Sequence, residues 1–134
     1  MKLAAGIQWL RGKVVTLAKV LVVDDELGIC ELIQMALTHK GHEVRYSTTG
    51  AGGLKLYDEY CPDLVLLDLT LPDVDGVELA KKIKSAGKCI SAPIVLISGR
   101  FISPSEIDPT LFAGILEKPF SMAKLISEVQ KYLP

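Results

Sequence analysis

The chain has 134 residues, of which 49% are hydrophobic and 23% charged, and its formal net charge is −1. This length suits one domain with a single core, and the hydrophobic fraction excludes a disordered chain. The near-zero charge excludes a broad basic surface, and no apolar run is long enough to span a membrane. We therefore expect a folded domain that binds neither nucleic acid nor a membrane directly.

The first 18 residues have a mixed apolar pattern that leaves their role open. They could be an expression leader, an extra strand through Val14–Val15, or the end of a preceding domain. Their apolar stretch is too short for a signal peptide and is interrupted by Gln8 and Arg11. We treat residues 1–18 as an N-terminal extension of unknown role and residues 19–134 as the folded domain.

Three continuous apolar runs, at Lys19–Val23, Leu64–Leu67 and Ile94–Ile97, predict strands that are buried on both faces. Shorter strands are predicted at Glu43–Ser47 and Ile115–Glu117. Strands of the first kind are typical of a parallel sheet, because helices cover both of its faces.

Helices are predicted between these strands because apolar residues recur there at helical spacing. They run from Leu27 to a stop at Gly41, over Ala51–Tyr60, over Val77–Ala86 with a stop at Gly87, and from the N-cap Ser121 onward. The segment 99–113 is expected to be irregular, since Pro109 forbids a long helix. The alternation predicts an α/β fold, a five-stranded parallel sheet with helices on both faces and right-handed crossovers.

Polar groups follow the ends of the apolar strands. Asp24 and Asp25 follow the first, Asp68 ends the central one, and Ser98 and Lys118 follow the last two. Because parallel strands bring their carboxyl ends to the same edge of the sheet, we expect these five side chains to share one site.

The chemistry of this edge points to phosphoryl transfer. Three neighbouring carboxylates repel each other, and a divalent cation relieves the repulsion. Oxygen ligands suit Mg²⁺, and no nearby His/Cys set favours zinc. With a cation bound, Asp68 is suited to attack an incoming phosphorus, while Lys118 and Ser98 meet the charge on the phosphoryl oxygens.

Four motifs in this order resemble the receiver domain of two-component response regulators. They are Val22-Val-Asp-Asp-Glu26, Leu67-Asp-Leu-Thr-Leu-Pro-Asp-Val-Asp-Gly76, Ile97-Ser-Gly99 and Lys118-Pro-Phe120. The resemblance extends from about Lys19 to Leu133 and implies a flavodoxin-like sheet of order 2-1-3-4-5. It also implies that Asp68 is the phosphoacceptor, that Asp25 binds Mg²⁺ directly, that Asp24 supports the metal, and that the Thr70 carbonyl is a further ligand.

By the same resemblance, Ser98 is the hydroxyl that moves toward the phosphoryl group, Lys118 pairs with that group, and the bond to Pro119 is cis. The implied partners are a sensor histidine kinase or phosphotransfer protein, which supplies the phosphoryl group from a phosphohistidine, and an unknown downstream protein. The implied domain is not an enzyme, apart from its own phosphorylation and dephosphorylation.

Two departures from the family pattern keep alternatives open. Ile115 stands where an aromatic residue is usual, and the fourth helical segment looks short or broken, which also resembles receivers fused to hybrid histidine kinases. A degenerate receiver that binds partners without phosphorylation is one alternative. A haloacid-dehalogenase-type phosphatase, suggested by Asp73-Val-Asp-Gly-Val77, is a weaker one.

The cysteines and histidines carry little signal. Cys30, Cys61 and Cys89 are an odd number without paired metal-ligand spacing, which is typical of reduced thiols in a cytoplasmic protein. His39 and His42 flank a predicted helix end, and we expect both to be exposed.

Overall fold

The chain folds into two sheets and four α-helices, seen in a computed structural model that describes residues 2–4, 7–85, 89 and 91–133. The strands are β1 (Lys2–Ala4), β2 (Ile7–Leu10), β3 (Lys13–Thr16), β4 (Lys19–Val23), β5 (Glu43–Ser47), β6 (Leu64–Asp68), β7 (Ile94–Ser98) and β8 (Gly114–Glu117). The helices are α1 (Leu27–His39), α2 (Gly50–Tyr60), α3 (Gly76–Ser85) and α4 (Met122–Gln130). The predicted helix stop at Gly87 lies outside the described residues.

The larger sheet is parallel, with the strand order β5-β4-β6-β7-β8. This is the predicted order 2-1-3-4-5, and all five predicted strands are confirmed. Every residue of β6 and β7 is buried, as the continuous apolar runs predicted. The register pairs Val23 of β4 with Leu67 of β6, and Asp68 with Ile97 of β7, so the strand ends meet at one edge.

Helices cover both faces of this sheet, as predicted. On one face, α1 and α4 bury residues such as Ile33 and Leu125 against β4, β6 and β7. On the other face, α2 and α3 bury Tyr57, Leu79 and Ile83. The predicted N-cap of the last helix is confirmed, because the Ser121 hydroxyl accepts a hydrogen bond from the Lys124 N–H at 3.0 Å.

The crossover from β7 to β8 differs from the others. Between these strands, where every residue is described, the only helical element is a 3₁₀ turn at Pro104–Glu106. The predicted irregular segment is therefore confirmed. Its physical basis is proline: Pro104 suits a first helical turn, and Pro109 lacks the N–H that a continuing helix needs.

The N-terminal extension forms a separate antiparallel sheet of order β1-β2-β3. A strand through Val14–Val15, one of the three possibilities for this segment, is observed as β3. Arg11 and Gly12 both have positive φ, at 51° and 76°, which suits a two-residue hairpin turn between β2 and β3.

The cysteine prediction is wrong for two of the three residues. Cys61 and Cys89 form a disulfide with a Cα–Cα distance of 5.4 Å, whereas Cys30 is a buried free thiol. Cys61 ends α2 in a left-handed conformation (φ 48°), and its disulfide joins the end of this helix to the segment before β7. A separation of 28 residues gives no sequence signal for this pairing, since only the fold brings the two segments together.

The histidine prediction holds for one residue only. His39 is exposed, but His42 is partly buried, and its Nδ1 accepts a hydrogen bond from the Ala18 N–H at 3.1 Å. Burial lowers the pKa of His42 below its ordinary value, so its neutral form is favoured.

Candidate phosphorylation site

Acidic side chains gather where the central strands end. Asp24 follows β4 and is held by its N–H, which donates to the Ser47 carbonyl at 3.1 Å, while Asp68 is the last residue of β6. Carboxylate oxygens of Asp24, Asp25, Glu26 and Asp68 lie within 4.8 Å of one another. The predicted meeting of the acidic pair with Asp68 is therefore observed.

Lys118 places its ammonium among these carboxylates. Its Nζ lies 2.8 Å from Asp24 Oδ2, 3.0 Å from Asp68 Oδ2 and 3.0 Å from Glu26 Oε1. The backbone N–H of Lys118 donates to the Ser98 carbonyl at 2.7 Å, which fixes the residue directly after β8. The bond between Lys118 and Pro119 is cis, as the family resemblance implied.

Burial and charge act against each other in this cluster. Burial raises the pKa of Asp24 to about 6, with a further contribution from the charge of Asp68, although Lys118 opposes the shift. Burial also disfavours the Lys118 cation, but its hydrogen bonds with Asp24, Glu26 and Asp68 outweigh that effect and raise the pKa of Lys118. The cluster thus holds more acidic groups than its single ammonium can neutralise.

The donor set fits a magnesium ion. The cluster offers four carboxylates, which are hard oxygen ligands, and two of them, Asp25 and Glu26, are exposed to solvent. An Mg²⁺ ion keeps several of its waters, so an open acidic site suits it better than a closed one.

Thr70 lies beside the phosphoacceptor candidate through its backbone. Its N–H donates to Asp68 Oδ1 at 2.9 Å, and it pairs with Asp75 in an isolated antiparallel bridge. This contact orients the Asp68 carboxylate. The predicted ligand role of the Thr70 carbonyl remains a prediction.

The Ser98 side chain is buried at the end of β7 and bonds to its own loop. Its hydroxyl donates to the Arg100 carbonyl at 2.9 Å, and the Arg100 N–H donates back to Ser98 Oγ at 3.2 Å. Ser98 therefore lies at the predicted edge, but its hydroxyl is engaged with Arg100.

The loop after Asp68 is tied to its neighbours by two further aspartates. Asp73 accepts hydrogen bonds from the N–H groups of Gly50 (2.8 Å) and Ala51 (2.9 Å), and so caps the start of α2. Asp75 accepts one from the Val77 N–H at 2.8 Å and caps α3. The link from Asp73 to Gly50 of α2 spans 23 residues, and no local sequence pattern predicts it.

Glu26 was also missing from the predicted site residues. It contacts Lys118 and belongs to the carboxylate cluster. Its position directly after the acidic pair is the signal that could have indicated it.

Comparisons with known proteins identify the family of this chain. The family model for the response regulator receiver domain matches residues 20–130. The chain is 34% identical over 114 residues to the transcriptional regulatory protein KdpE of Mycobacterium tuberculosis, covering 83% of this chain but 49% of that protein. It is 31% identical over 116 residues to the sporulation initiation phosphotransferase F of Bacillus subtilis, covering 87% of this chain and 94% of that protein.

Solved structures show the same fold. The chemotaxis response regulator CheY4 of Vibrio cholerae superposes with a TM-score of 0.81 at 28% identity, covering 88% of this chain and all of that one. The chain spans about half the length of the transcriptional regulators it matches. In the described part of the chain, no helix is both long and apolar enough to cross a bilayer. The chain belongs to the response regulator receiver domains of two-component signalling systems.

Proposed function

We propose that this domain accepts a phosphoryl group on Asp68 and thereby switches between two conformations that a protein partner distinguishes. The donor is a phosphohistidine on a sensor histidine kinase or phosphotransfer protein. The observation that carries the proposal is the position of Asp68: it ends a buried central strand, 3.0 Å from the Lys118 ammonium and within 4.8 Å of three other carboxylates.

The transfer exchanges one bond for another. A carboxylate oxygen of Asp68 forms a bond to phosphorus as the bond from phosphorus to the donor imidazole nitrogen breaks, and the imidazole keeps the electron pair. Lys118 supplies a cation next to Asp68, and the Thr70 N–H holds the carboxylate in orientation. Both groups are in place before the reaction, so little reorganisation is needed.

Asp24, Asp25 and Asp68 would hold the magnesium ion, with the Thr70 carbonyl as a further ligand. When bound, this cation adds positive charge near the phosphoryl oxygens. The exposed side chain of Asp25 leaves it accessible, while the buried Asp24 also accepts a hydrogen bond from the Glu26 N–H at 2.8 Å. Glu26 also forms an ion pair with Lys118 and so helps to position the Lys118 ammonium.

The test is incubation with a small acyl phosphate and Mg²⁺, followed by intact-mass analysis. We expect a phosphoryl adduct in the unmodified chain and none in Asp68→Asn. Asp63→Asn is the matched control, because Asp63 precedes the other end of the same strand. No adduct, or an adduct that persists in Asp68→Asn, would contradict the proposal.

A degenerate receiver is the second candidate, favoured by Ile115 at the position where an aromatic residue is usual. Two results together would support it: the chain forms no phosphoryl adduct, and its amide NMR spectrum does not change when Mg²⁺ and a phosphoryl mimic are added. The phosphatase alternative has less support, because Asp73 and Asp75 bind backbone N–H groups at the starts of helices.

A further inference from the structure

The loop between β6 and α3, residues 69–75, contributes backbone groups to the proposed site. The Thr70 N–H donates to Asp68 Oδ1 at 2.9 Å, and the Thr70 carbonyl is the predicted further ligand of the cation. The two arms of the loop are joined, because Thr70 pairs with Asp75 in an antiparallel bridge. The position of the loop's tip is therefore linked to the position of Thr70.

The tip of this loop is fastened to the first turn of α2. One carboxylate oxygen of Asp73 accepts a hydrogen bond from the Gly50 N–H at 2.8 Å, and the other accepts one from the Ala51 N–H at 2.9 Å. The hydrogen bonds from Ala51 and Gly50 lower the pKa of Asp73, so its charged form is favoured. The positive end of the helix dipole also favours a carboxylate at this place.

The first turn of α2 also has a cap of its own. Thr49 precedes the helix, and its hydroxyl accepts a hydrogen bond from the Gly52 N–H at 3.1 Å. Asp73 binds two other N–H groups of the same turn from a distant part of the sequence. The two caps therefore differ in what they join: Thr49 caps the helix locally, whereas Asp73 connects the helix to the loop that carries Thr70.

The loop and the helix approach each other closely, and glycine permits this. A Cβ atom at Gly50 would overlap Val74 Cγ1 and would lie 3.2 Å from Asp73 Oδ1. Val74 is partly buried and packs against the core on this face of the sheet. A larger residue at position 50 would therefore push the tip of the loop away from α2.

We propose that Asp73 is a positioning residue of the phosphorylation site: it binds the first turn of α2 and thereby holds Thr70 beside Asp68 and the cation site. The inference rests on the proposed function, since it assigns a role toward the magnesium ion of that site. Asp73 acts through the loop and is not among the four carboxylates gathered there. Without this link, the loop would have to become ordered when the cation binds, which lowers the apparent affinity.

The first experiment measures Mg²⁺ affinity without any phosphoryl donor. Mg²⁺ is titrated into the full chain and followed by amide NMR. In Asp73→Ala, we expect the dissociation constant to rise about three- to ten-fold, because only a fraction of the molecules then holds Thr70 in place. A dissociation constant equal to that of the unmodified chain would overturn the proposal.

Thr49→Ala is the matched control. It removes a cap from the same turn of α2 but leaves the link between Asp73 and the helix in place. We expect this variant to bind Mg²⁺ as tightly as the unmodified chain. An equal rise of the dissociation constant in Thr49→Ala and Asp73→Ala would assign the effect to helix stability and would also overturn the proposal.

The second measurement needs no metal. In the absence of Mg²⁺, hydrogen exchange of the Thr70 amide should be faster in Asp73→Ala than in Thr49→Ala, because the loop opens more often. Asp73→Asn keeps one side-chain carbonyl oxygen as an acceptor and should recover part of the protection. Equal exchange rates in Asp73→Ala and Thr49→Ala would contradict the positioning role.

A third variant separates positioning from helix stability. Gly50→Ala favours helix formation, since alanine has a higher helix propensity than glycine, but its Cβ displaces Val74. We expect weaker Mg²⁺ binding here as well. Unchanged Mg²⁺ affinity in Gly50→Ala would show that the contact between loop and helix does not position the site.

Intact-mass analysis after treatment with an acyl phosphate distinguishes this inference from the proposed function. If the unmodified chain forms the adduct but Asp73→Ala and Thr49→Ala bind Mg²⁺ equally well, the positioning role is wrong and the proposed function stands. If no adduct forms but Mg²⁺ binding weakens in Asp73→Ala alone, the proposed function fails and the positioning role stands. If the unmodified chain binds no Mg²⁺, the positioning role fails.

Discussion

The crossovers on either side of β7 differ in how firmly they are built. Before β7, the chain passes through α3, a ten-residue helix that buries Leu79, Ala80 and Ile83 against the sheet. After β7, it passes through a three-residue 3₁₀ turn that buries none of its own residues, although Ile102, Leu111 and Phe112 beside the turn are buried. The phosphoacceptor candidate lies at the start of the firm crossover, and Ser98 lies at the start of the loose one.

This difference suits the two tasks of the proposed function. Phosphoryl transfer needs groups that are held in position beforehand, and Asp68 lies on a fully buried strand. Switching needs a segment with few buried apolar contacts, because such segments open at low cost in free energy. The first region supplies Asp68, the phosphoacceptor of the proposed function, and we expect the conformational response to come from the second.

The largest expected effect compares the strands of the two regions. Leu66→Ala, in fully buried β6, should lower the free energy of unfolding by about 3–4 kcal/mol, since it leaves a cavity between two packed faces. Ile115→Ala, in the partly buried edge strand β8, should lower it by only about 1 kcal/mol. Urea unfolding measures both. Equal losses would remove the distinction between the regions.

The next effect concerns the disulfide, which reinforces the first region. Reduction of Cys61–Cys89 should lower the free energy of unfolding by about 3 kcal/mol, because the bond closes a loop of 28 residues in the unfolded chain. Urea unfolding with and without a reducing agent tests this. In the double variant Cys61→Ser/Cys89→Ser, the reductant should leave the free energy of unfolding unchanged. A decrease in that variant would show that the effect of the reductant does not come from this disulfide.

Helix caps provide a smaller comparison. Asp73→Ala should lower stability by about 1 kcal/mol, because Asp73 binds two N–H groups at the start of the eleven-residue helix α2. Ser103→Ala, which removes the cap of the 3₁₀ turn, should cost less than about 0.5 kcal/mol. Thermal unfolding of both variants is the measurement. A larger loss for Ser103→Ala would mean that the turn is firmer than its contacts indicate.

The smallest expected effect is the pH dependence of the stability that His42 contributes, and His42 lies outside both regions. Burial lowers the pKa of His42, so the unfolded chain binds a proton more readily than the folded one. The stability contributed by neutral His42 is present above its ordinary pKa of about 6.5 and is lost as the pH falls below it. In urea unfolding at several pH values, His42→Gln should show a shallower loss on acidification. If the free energy of unfolding falls with pH equally steeply in His42→Gln and in the unmodified chain, His42 does not contribute this pH dependence.

The sequence was sufficient for the fold and for most of the site, because the signals were local. Continuous apolar runs located β4, β6 and β7, and a shorter run located β8. Polar groups at the ends of β4, β6 and β8 located Asp24, Asp68 and Lys118. Parallel topology then placed those strand ends at one edge. No contact between distant segments had to be known for this step.

What the sequence did not reveal depends on such distant contacts. The Cys61–Cys89 disulfide and the cap that Asp73 provides for α2 join segments more than 20 residues apart, and no local pattern records either pairing. The hydrogen bond from Ser98 to Arg100 is local, but the direction of a hydroxyl follows from three-dimensional packing. The mixed apolar pattern of the first 18 residues likewise does not reveal the role of the N-terminal sheet.

The disulfide has one consequence for how β7 can respond. Cys89 lies shortly before the first residue of β7 and is bonded to the end of α2, whereas Ser98 at the far end of the strand is held by hydrogen bonds to a loop. The segment that enters β7 is thus anchored covalently, whereas the loop that leaves it is not. We expect the loop after Ser98 to be displaced more readily than the segment at Cys89, while β7 itself stays paired with β6 and β8.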